Sequence, residues 1–260
     1  MMRGLWAAAT GMACQQSNLD VVAHNLANVN TGGFKKSRIS FQDLMYQNLR
    51  AAGAETASGG QIPTGIQVGM GAKVVSVDKV FLQGDFASTN NPLDMAIEGK
   101  GFFKLLNNNR DVYTRAGTFR LDKDGYIVDT AGNRLQPEFA VPPTTVNITI
   151  TSGGEVTASG SDGRVLATTQ IQLFDFANPA GLRSLGTGYF VPTDASGEAV
   201  QGNPGDDEFG TLLQGFVEMS NVDVVEEMIN MIMAQRAYEL GAKAIQTGDE
   251  MLQQANNLKR

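Results

Sequence analysis

Few side chains in this sequence could carry chemistry, and their spacing narrows the choice further. The chain has one histidine, His24, and one cysteine, Cys14. A single cysteine excludes an intramolecular disulfide and a multi-thiolate zinc site, and a single histidine excludes a multi-histidine metal centre. His24 stands beside Asn25 with no acid or nucleophile placed to work with it, and Cys14 lies between Ala13 and Gln15. Both read as surface or interface residues. Asp122, Asp124 and Asp129 surround Gly125, but the spacing and terminal Glu of a calcium loop are missing, so a hairpin turn is expected. Gly99-Lys100-Gly101 lacks the third glycine of a dinucleotide site, and no Lys-Ser/Thr follows at P-loop spacing; a tight turn between strands is expected. Asp206 and Asp207 sit in a turn-like stretch, GNPGDDEFG, where solvation explains them. No G-x-S-x-G occurs. The expectation is no catalytic residue, no cofactor, no metal and no enzyme.

The elements that would position any working surface divide by composition. The 260 residues are 42% apolar and 18% charged, with 30 glycines and 8 prolines, enough for one or two domains with a buried core. All the prolines lie between Pro63 and Pro204, and 17 of the 19 aromatics lie between Phe34 and Phe216. The ends, 1–30 and 221–260, hold no proline and only Trp6 and Tyr238. Two helical ends therefore flank a middle of different character. The net charge of −7 argues against nucleic acid as a partner. The basic cluster Lys35, Lys36 and Arg38 reads as a solvated strand or a subunit salt-bridge partner.

In the first end Leu5, Met12, Leu19 and Leu26 recur every seven residues, with Ala8, Gln15, Val22 and Val29 interleaved. That period keeps one seam facing a partner helix, as in a coiled coil. In the last end Ser220 with Asp223 three residues on suggests a capping box. An apolar stripe follows through Val225, Ile229, Ile232, Met233, Leu240 and Met251, to Leu258. Gly241 and Gly248 each cost about 1 kcal/mol of helix relative to Ala and should soften it. Neither helix can bury its stripe alone, so the two ends are expected to pack on each other and on further copies.

Between the ends the period is two. Val146, Ile148 and Ile150 alternate with polar residues, and strands are expected near 73–82, 101–106, 112–115, 117–121, 170–176, 187–192 and 212–219. Residues 48–71 are rich in Gly, Ala, Ser and Thr, a composition expected of a flexible loop and too long for a plain connector. Met1–Ala13 has Arg3 and a short apolar run but no convincing cleavage site, and no window reaches the length of a spanning helix.

Three strings are more specific. LDVVAHNLANVNTGGFKKSR (19–38) and SNVDVVEEMINMIMAQRAYELGAKAIQTGDEML (220–252) resemble the terminal signatures of the bacterial flagellar rod and hook axial proteins. LQGDFASTNNPLDMAIEGKGFFKLL and YTRAGTFRLDKDGYIVDTAGNRL resemble the β-domain of that family. The signature positions are Asn25, Leu26, Ala27, Asn28, Thr31, Gly33, Phe34, Ser220, Asn221, Val222, Gln235, Arg236, Ala237 and Tyr238. The length and GGQIPTGIQVGMGAKV resemble a full-length rod member rather than the short proximal rod proteins or the longer hook proteins. Gly241 stands where the family commonly has Asn, Gly248 interrupts its final heptads, and His24 replaces a frequent Asn.

The resemblance implies an α+β multi-domain chain. Paired coiled-coil helices (1–31 plus 220–260) would form an inner domain, and 32–72 plus 211–219 an extended connecting hairpin region. Residues 73–210 would form an all-β outer domain. Leu5, Met12, Leu19, Val22, Leu26, Val225, Ile229, Ile232, Leu240 and Met251 would form the subunit interface of the inner helices. Gly53, Gly60, Pro63, Gly65 and Gly69 would mark a rod-stiffening hairpin. The implied function is a subunit of a straight, hollow shaft transmitting torque. Its partners would be copies of itself, proximal rod proteins, hook protein, P- and L-ring proteins and the flagellar type III export apparatus. It would sit in the basal body across the periplasm, exported without a cleavable signal. From other classes, a periplasmic adaptor would carry a secretory or lipoprotein signal, and a carbohydrate-active β-protein would show a carboxylate pair in an aromatic cleft.

Overall fold

A computed structural model describes residues 2–50, 53, 63–206 and 208–257. The chain is α+β, with a long helix near each end and a middle made mostly of strands. It forms two compact units: Met1–Leu26 with Ser37–Asp78 and Asp223–Arg260, and Ala27–Lys36 with Lys79–Val222.

The first unit contains helix α1 (Met2–Ala27), strands β1 (Ser37–Asp43), β2 (Tyr46–Arg50), β3 (Ile66–Gly69) and β4 (Ala72–Lys79), and helix α2 (Val224–Asn257). The absence of proline and the run of Ala, Leu, Met and Gln favour both helices. α2 begins later than the sequence suggests, because Asp223 rather than Ser220 is its cap. The Asp223 Oδ1 accepts from the amides of Val225 (2.8 Å) and Glu226 (3.2 Å), satisfying two N–H groups that the first turn leaves without partners. Ser220 Oγ is buried without a hydrogen bond.

The helices run antiparallel. Leu5 lies against Gly248 and Met12 against Gly241, and Asn25 reaches Glu227. The face of α2 that meets α1 is not its large apolar stripe. The large apolar residues of α2 do not turn toward α1: Val225 is 67% exposed, Ile229 53%, Ile232 54% and Leu240 69%. Glu227, Ala234 and Gly248 are the buried residues of α2. The glycines expected to soften the helix are thus the places where Met12 and Leu5 of α1 lie directly over the α2 backbone. Strand β1 pairs with β4 and β2 pairs antiparallel with β3, so the flanks of the expected 48–71 loop are strands.

The second unit is built of β5 (Phe86–Ser88), β6 (Met95–Glu98), β7 (Phe103–Asn107), β8 (Arg110–Thr114), β9 (Phe119–Leu121), β10 (Ile127–Asp129), β11 (Arg134–Leu135), β12 (Thr145–Ile150), β13 (Glu155–Gly160), β14 (Val165–Gln170), β15 (Leu173–Asp175), β16 (Arg183–Gly186), β17 (Tyr189–Val191), β18 (Val200–Gly202), β19 (Thr211–Gln214) and β20 (Phe216–Glu218). Its main sheet has the order β16-β17-β8-β7-β11-β10-β9, with a three-stranded β12-β13-β14 sheet and smaller pairs, among them β19-β6 and β20-β5. Met95, Ile97, Phe103, Leu105, Phe119, Val156, Leu173 and Leu212 form its core. A second cluster packs Phe102, Tyr113, Phe174, Phe176 and Phe190 edge to face, with Leu182 buried among them, which adds to simple area burial. The aromatics that set the middle apart in composition are therefore its core.

Candidate assembly interface

Of the predicted interface residues, the α1 set is partly or fully covered within the chain. Val22 is buried, and Leu5, Met12, Leu19 and Leu26 are half-buried. The α2 set, Val225, Ile229, Ile232, Leu240 and Met251, is exposed, and Met228 and Met233 widen the same face. An apolar stripe this long on a solvent-facing helix marks an interaction surface. His24 and Trp6 are exposed, whereas Cys14 is buried rather than superficial.

The ribbon β2–β3 exposes Met45, Tyr46, Leu49 and Ile66. Every residue of β2 is exposed, and an isolated two-stranded ribbon is marginal in water. Tyr46 pairs with Gly69 across it, with its ring over the glycine. Gly53 and Pro63 are exposed and Gly65 is half-buried; Gly60 lies outside the described residues.

The signature residues are mostly polar groups that tie down backbone. The Asn25 side chain is buried, donates to the Ser37 carbonyl (2.9 Å) and accepts from the Ser37 amide (2.8 Å), so it pairs with a peptide as a neighbouring strand would. Its Nδ2 also donates to Glu227 Oε2 at 3.4 Å. In the second unit the Asn221 amide accepts from Lys36 N (2.7 Å) and donates to the Val80 and Leu82 carbonyls (2.9 and 3.0 Å). Thr31 donates to Asn28, and Phe34 N to the Thr31 carbonyl, forming the turn after α1. In that turn Gly33 has φ +69°, and a Cβ there would lie 2.5 Å from Ala116 N, so only glycine fits. Phe34 carries the Lys79 ammonium over its ring. Val222 is buried, Ala237 half-buried, and Gln235, Arg236 and Tyr238 are exposed.

Lys35 corrects the sequence reading. It is neither solvated nor a partner for another subunit, but buried and bonded to Glu218 Oε1 (2.5 Å) and the Leu82 carbonyl (2.7 Å). Glu218 Oε1 also accepts from Gly84 N (3.1 Å), and the Glu218 carbonyl accepts from Gly33 N (2.8 Å). Arg115 completes the cluster. Its Nε is 3.1 Å from Glu218 Oε2, as an ion pair without a directed hydrogen bond, and its Nη atoms donate to Gly101 and Gly99 carbonyls at 2.6 and 2.8 Å. Burial pulls the Lys35 and Arg115 pKa values below their ordinary range, and the Glu218 carboxylate opposes the shift. One carboxylate holds two buried cations, so the cluster rests on geometry and carbonyl dipoles as well as charge. Glu218 lies 183 residues from Lys35, and no local pattern could have paired them.

The Asp122–Gly125 turn is a hairpin closed by Gly125 N to the Asp122 carbonyl. A cavity of about 250 Å³ is lined by Phe81, Phe102, Phe176, Arg115 and Asp175, among others, but Arg115 is engaged as above and Asp175 accepts from Phe176 N. Among the described residues no cluster of acidic, His or Cys side chains could hold a metal, and no helix is long and apolar enough to cross a membrane.

A helix that displays a long apolar stripe, in a chain whose β-rich unit is closed by its own core, is the mark of a protein that works by associating. Three family models match in chain order: "Flagella basal body rod protein" over residues 5–35, "Flagellar hook protein FlgE/F/G D1 domain" over 96–158, and "Flagellar basal body rod FlgEFG protein C-terminal" over 213–258. The flagellar basal-body rod protein FlgG of Borreliella burgdorferi is 46% identical over 264 residues and that of Caulobacter vibrioides 45% over 262, covering 99% or more of both chains in each case. The flagellar hook protein FlgE of B. burgdorferi is 44% identical over 138 residues, 52% of this chain and 31% of its own. The chain belongs to the flagellar basal-body rod family, in its distal-rod FlgG branch.

Proposed function

We propose that the chain is a structural subunit of the flagellar distal rod, not an enzyme, and that it polymerises into a straight, hollow shaft carrying torque to the hook. The observation that carries this reading is the outward stripe of α2, Val225 to Leu240, which is the surface a helical polymer needs and a monomer does not. Such a polymer grows through heterologous contacts, one patch meeting a different patch on the next copy. In this reading α1 and α2 form an antiparallel coiled coil in the inner layer and the β-rich unit lies outside. The β2–β3 hairpin packs its exposed Met45, Tyr46, Leu49 and Ile66 on neighbouring copies, stiffening the rod. Partners at its ends are proximal rod proteins and hook protein, with P- and L-ring proteins around it and the type III export apparatus delivering it. Negative-stain electron microscopy of the purified chain under polymerising conditions tests the reading. Straight filaments with a central channel are expected; a closed trimer or hexamer would overturn it.

A further inference from the structure

We infer that the two terminal helices are keyed to each other by side-chain size, with Gly241 and Gly248 as the positioning residues that leave the large apolar face of α2 free for other copies. This rests on the assembly reading above and names the residues that make it possible. A Cβ added to Gly241 would lie 2.6 Å from Met12 Cγ, and one added to Gly248 would lie 2.5 Å from Leu5 Cδ2. Both distances are well inside van der Waals contact. Leu5 and Met12 are seven residues apart, as are Gly241 and Gly248, so the two contacts belong to one antiparallel register. One further step of seven sets Leu19 opposite Ala234, which is 2% exposed. The next sets Leu26 opposite Glu227, beside the Asn25 contact to the same carboxylate. α1 therefore supplies a row of large side chains, and α2 a row of glycine, glycine and alanine that receives it.

The division of labour follows from size. Had α2 met α1 through its large residues, Ile229, Ile232 and Leu240 would be consumed inside the chain. Because small residues hold the inner contact, those side chains face away from α1. A register slip of one turn would drive Met12 or Leu5 against a larger side chain such as Ile245 or Leu252, so the notches also select one alignment. Helix propensity argues against glycine at both positions, and close approach supplies the reason it is there.

The test uses the full chain in cells lacking their own copy of the rod subunit, with rods counted in isolated basal bodies by electron microscopy. The unaltered chain must restore rods; if it does not, the assembly reading itself fails. Gly241→Leu and Gly248→Leu are each expected to lower the number of completed rods roughly tenfold or more, since an overpacked seam forces the helices apart. The near-ultraviolet circular dichroism of the β-rich unit should stay unchanged. Shrinking the facing side chain, in Met12→Ala with Gly241→Leu and Leu5→Ala with Gly248→Leu, should restore most of the loss. Ala242→Leu adds the same side chain one residue away, at an exposed position off both the glycine seam and the apolar stripe, and serves as control. Normal rods from the single variants would overturn the inference while leaving the assembly reading intact. So would double variants no better than the singles.

Discussion

Replacing Glu218 by Gln keeps the shape of the side chain and removes the charge that both buried cations share. Lys35 Nζ lies 2.5 Å from Oε1 and Arg115 Nε 3.1 Å from Oε2, with all three side chains 5% exposed or less. No cavity forms, so the cost is electrostatic. Removing one partner of a buried ion pair typically costs about 3–5 kcal/mol, against roughly 5–15 kcal/mol for a whole domain. With a urea slope of about 2 kcal/mol/M, the unfolding midpoint should fall by about 1.5–2.5 M. The assay is urea denaturation followed by near-ultraviolet circular dichroism, which reads the Tyr113 and Phe102 cluster rather than the helices. The double variant Lys35→Met with Glu218→Gln should recover part of the loss, because one stranded cation is gone and Arg115 keeps the Gly99 and Gly101 carbonyls. The coupling between the two sites should be about 1–3 kcal/mol. A midpoint shift below about 0.5 M for Glu218→Gln, or strictly additive losses in the double variant, would refute the cluster as the clamp of this unit.

Ile229→Asp, on the exposed stripe, should abolish polymerisation while the unfolding free energy of the β-rich unit stays within about 0.5 kcal/mol of the parent, measured by sedimentation and urea titration together. Gly33→Ala combines a positive φ with a backbone collision and should destabilise the same unit by about 2–3 kcal/mol, visible as a lowered melting temperature. Tyr189 donates to Asp129 and its pKa is pushed up to about 12 by burial and that carboxylate. Its contribution is complete below the unfolded value near 10 and is lost as pH rises toward 12. Tyr189→Phe should remove that alkaline slope, whereas Lys35, whose pKa is lowered by burial, gives a slope of opposite sign. Deleting residues 51–68 should leave polymerisation intact but let the shaft bend, measured as a shorter persistence length in electron micrographs.

The helices and the β character of the middle were legible because they depend on local rules: proline exclusion, a seven-residue spacing in α1, alternation in TVNITIT. What stayed hidden depends on partners distant in sequence. Hydrophobicity located the large residues of α2 but could not say which way they point, since a glycine facing Met12 is indistinguishable in sequence from a glycine that merely loosens a helix. Ser220 and Asp223 are both good caps, and the choice fell to Asp223 because α2 starts one residue after it. Lys35 resembled its solvated neighbours because the charge that buries it comes from the far end of the β-rich unit.

That distance also orders events in time. A chain delivered N-terminus first, from a ribosome or through a narrow channel, brings out Lys35 and then Arg115 with no counter-charge in reach. Both cations stay hydrated, and the segment carrying Lys35 and Gly33 has no docking site until residue 218 emerges. Closing so long a loop is slow compared with forming the hairpins in between. The β-rich unit therefore seals late, once its last strand, β20, has emerged. Glu218 thus sets when the β-rich unit can close as well as how tightly it is held.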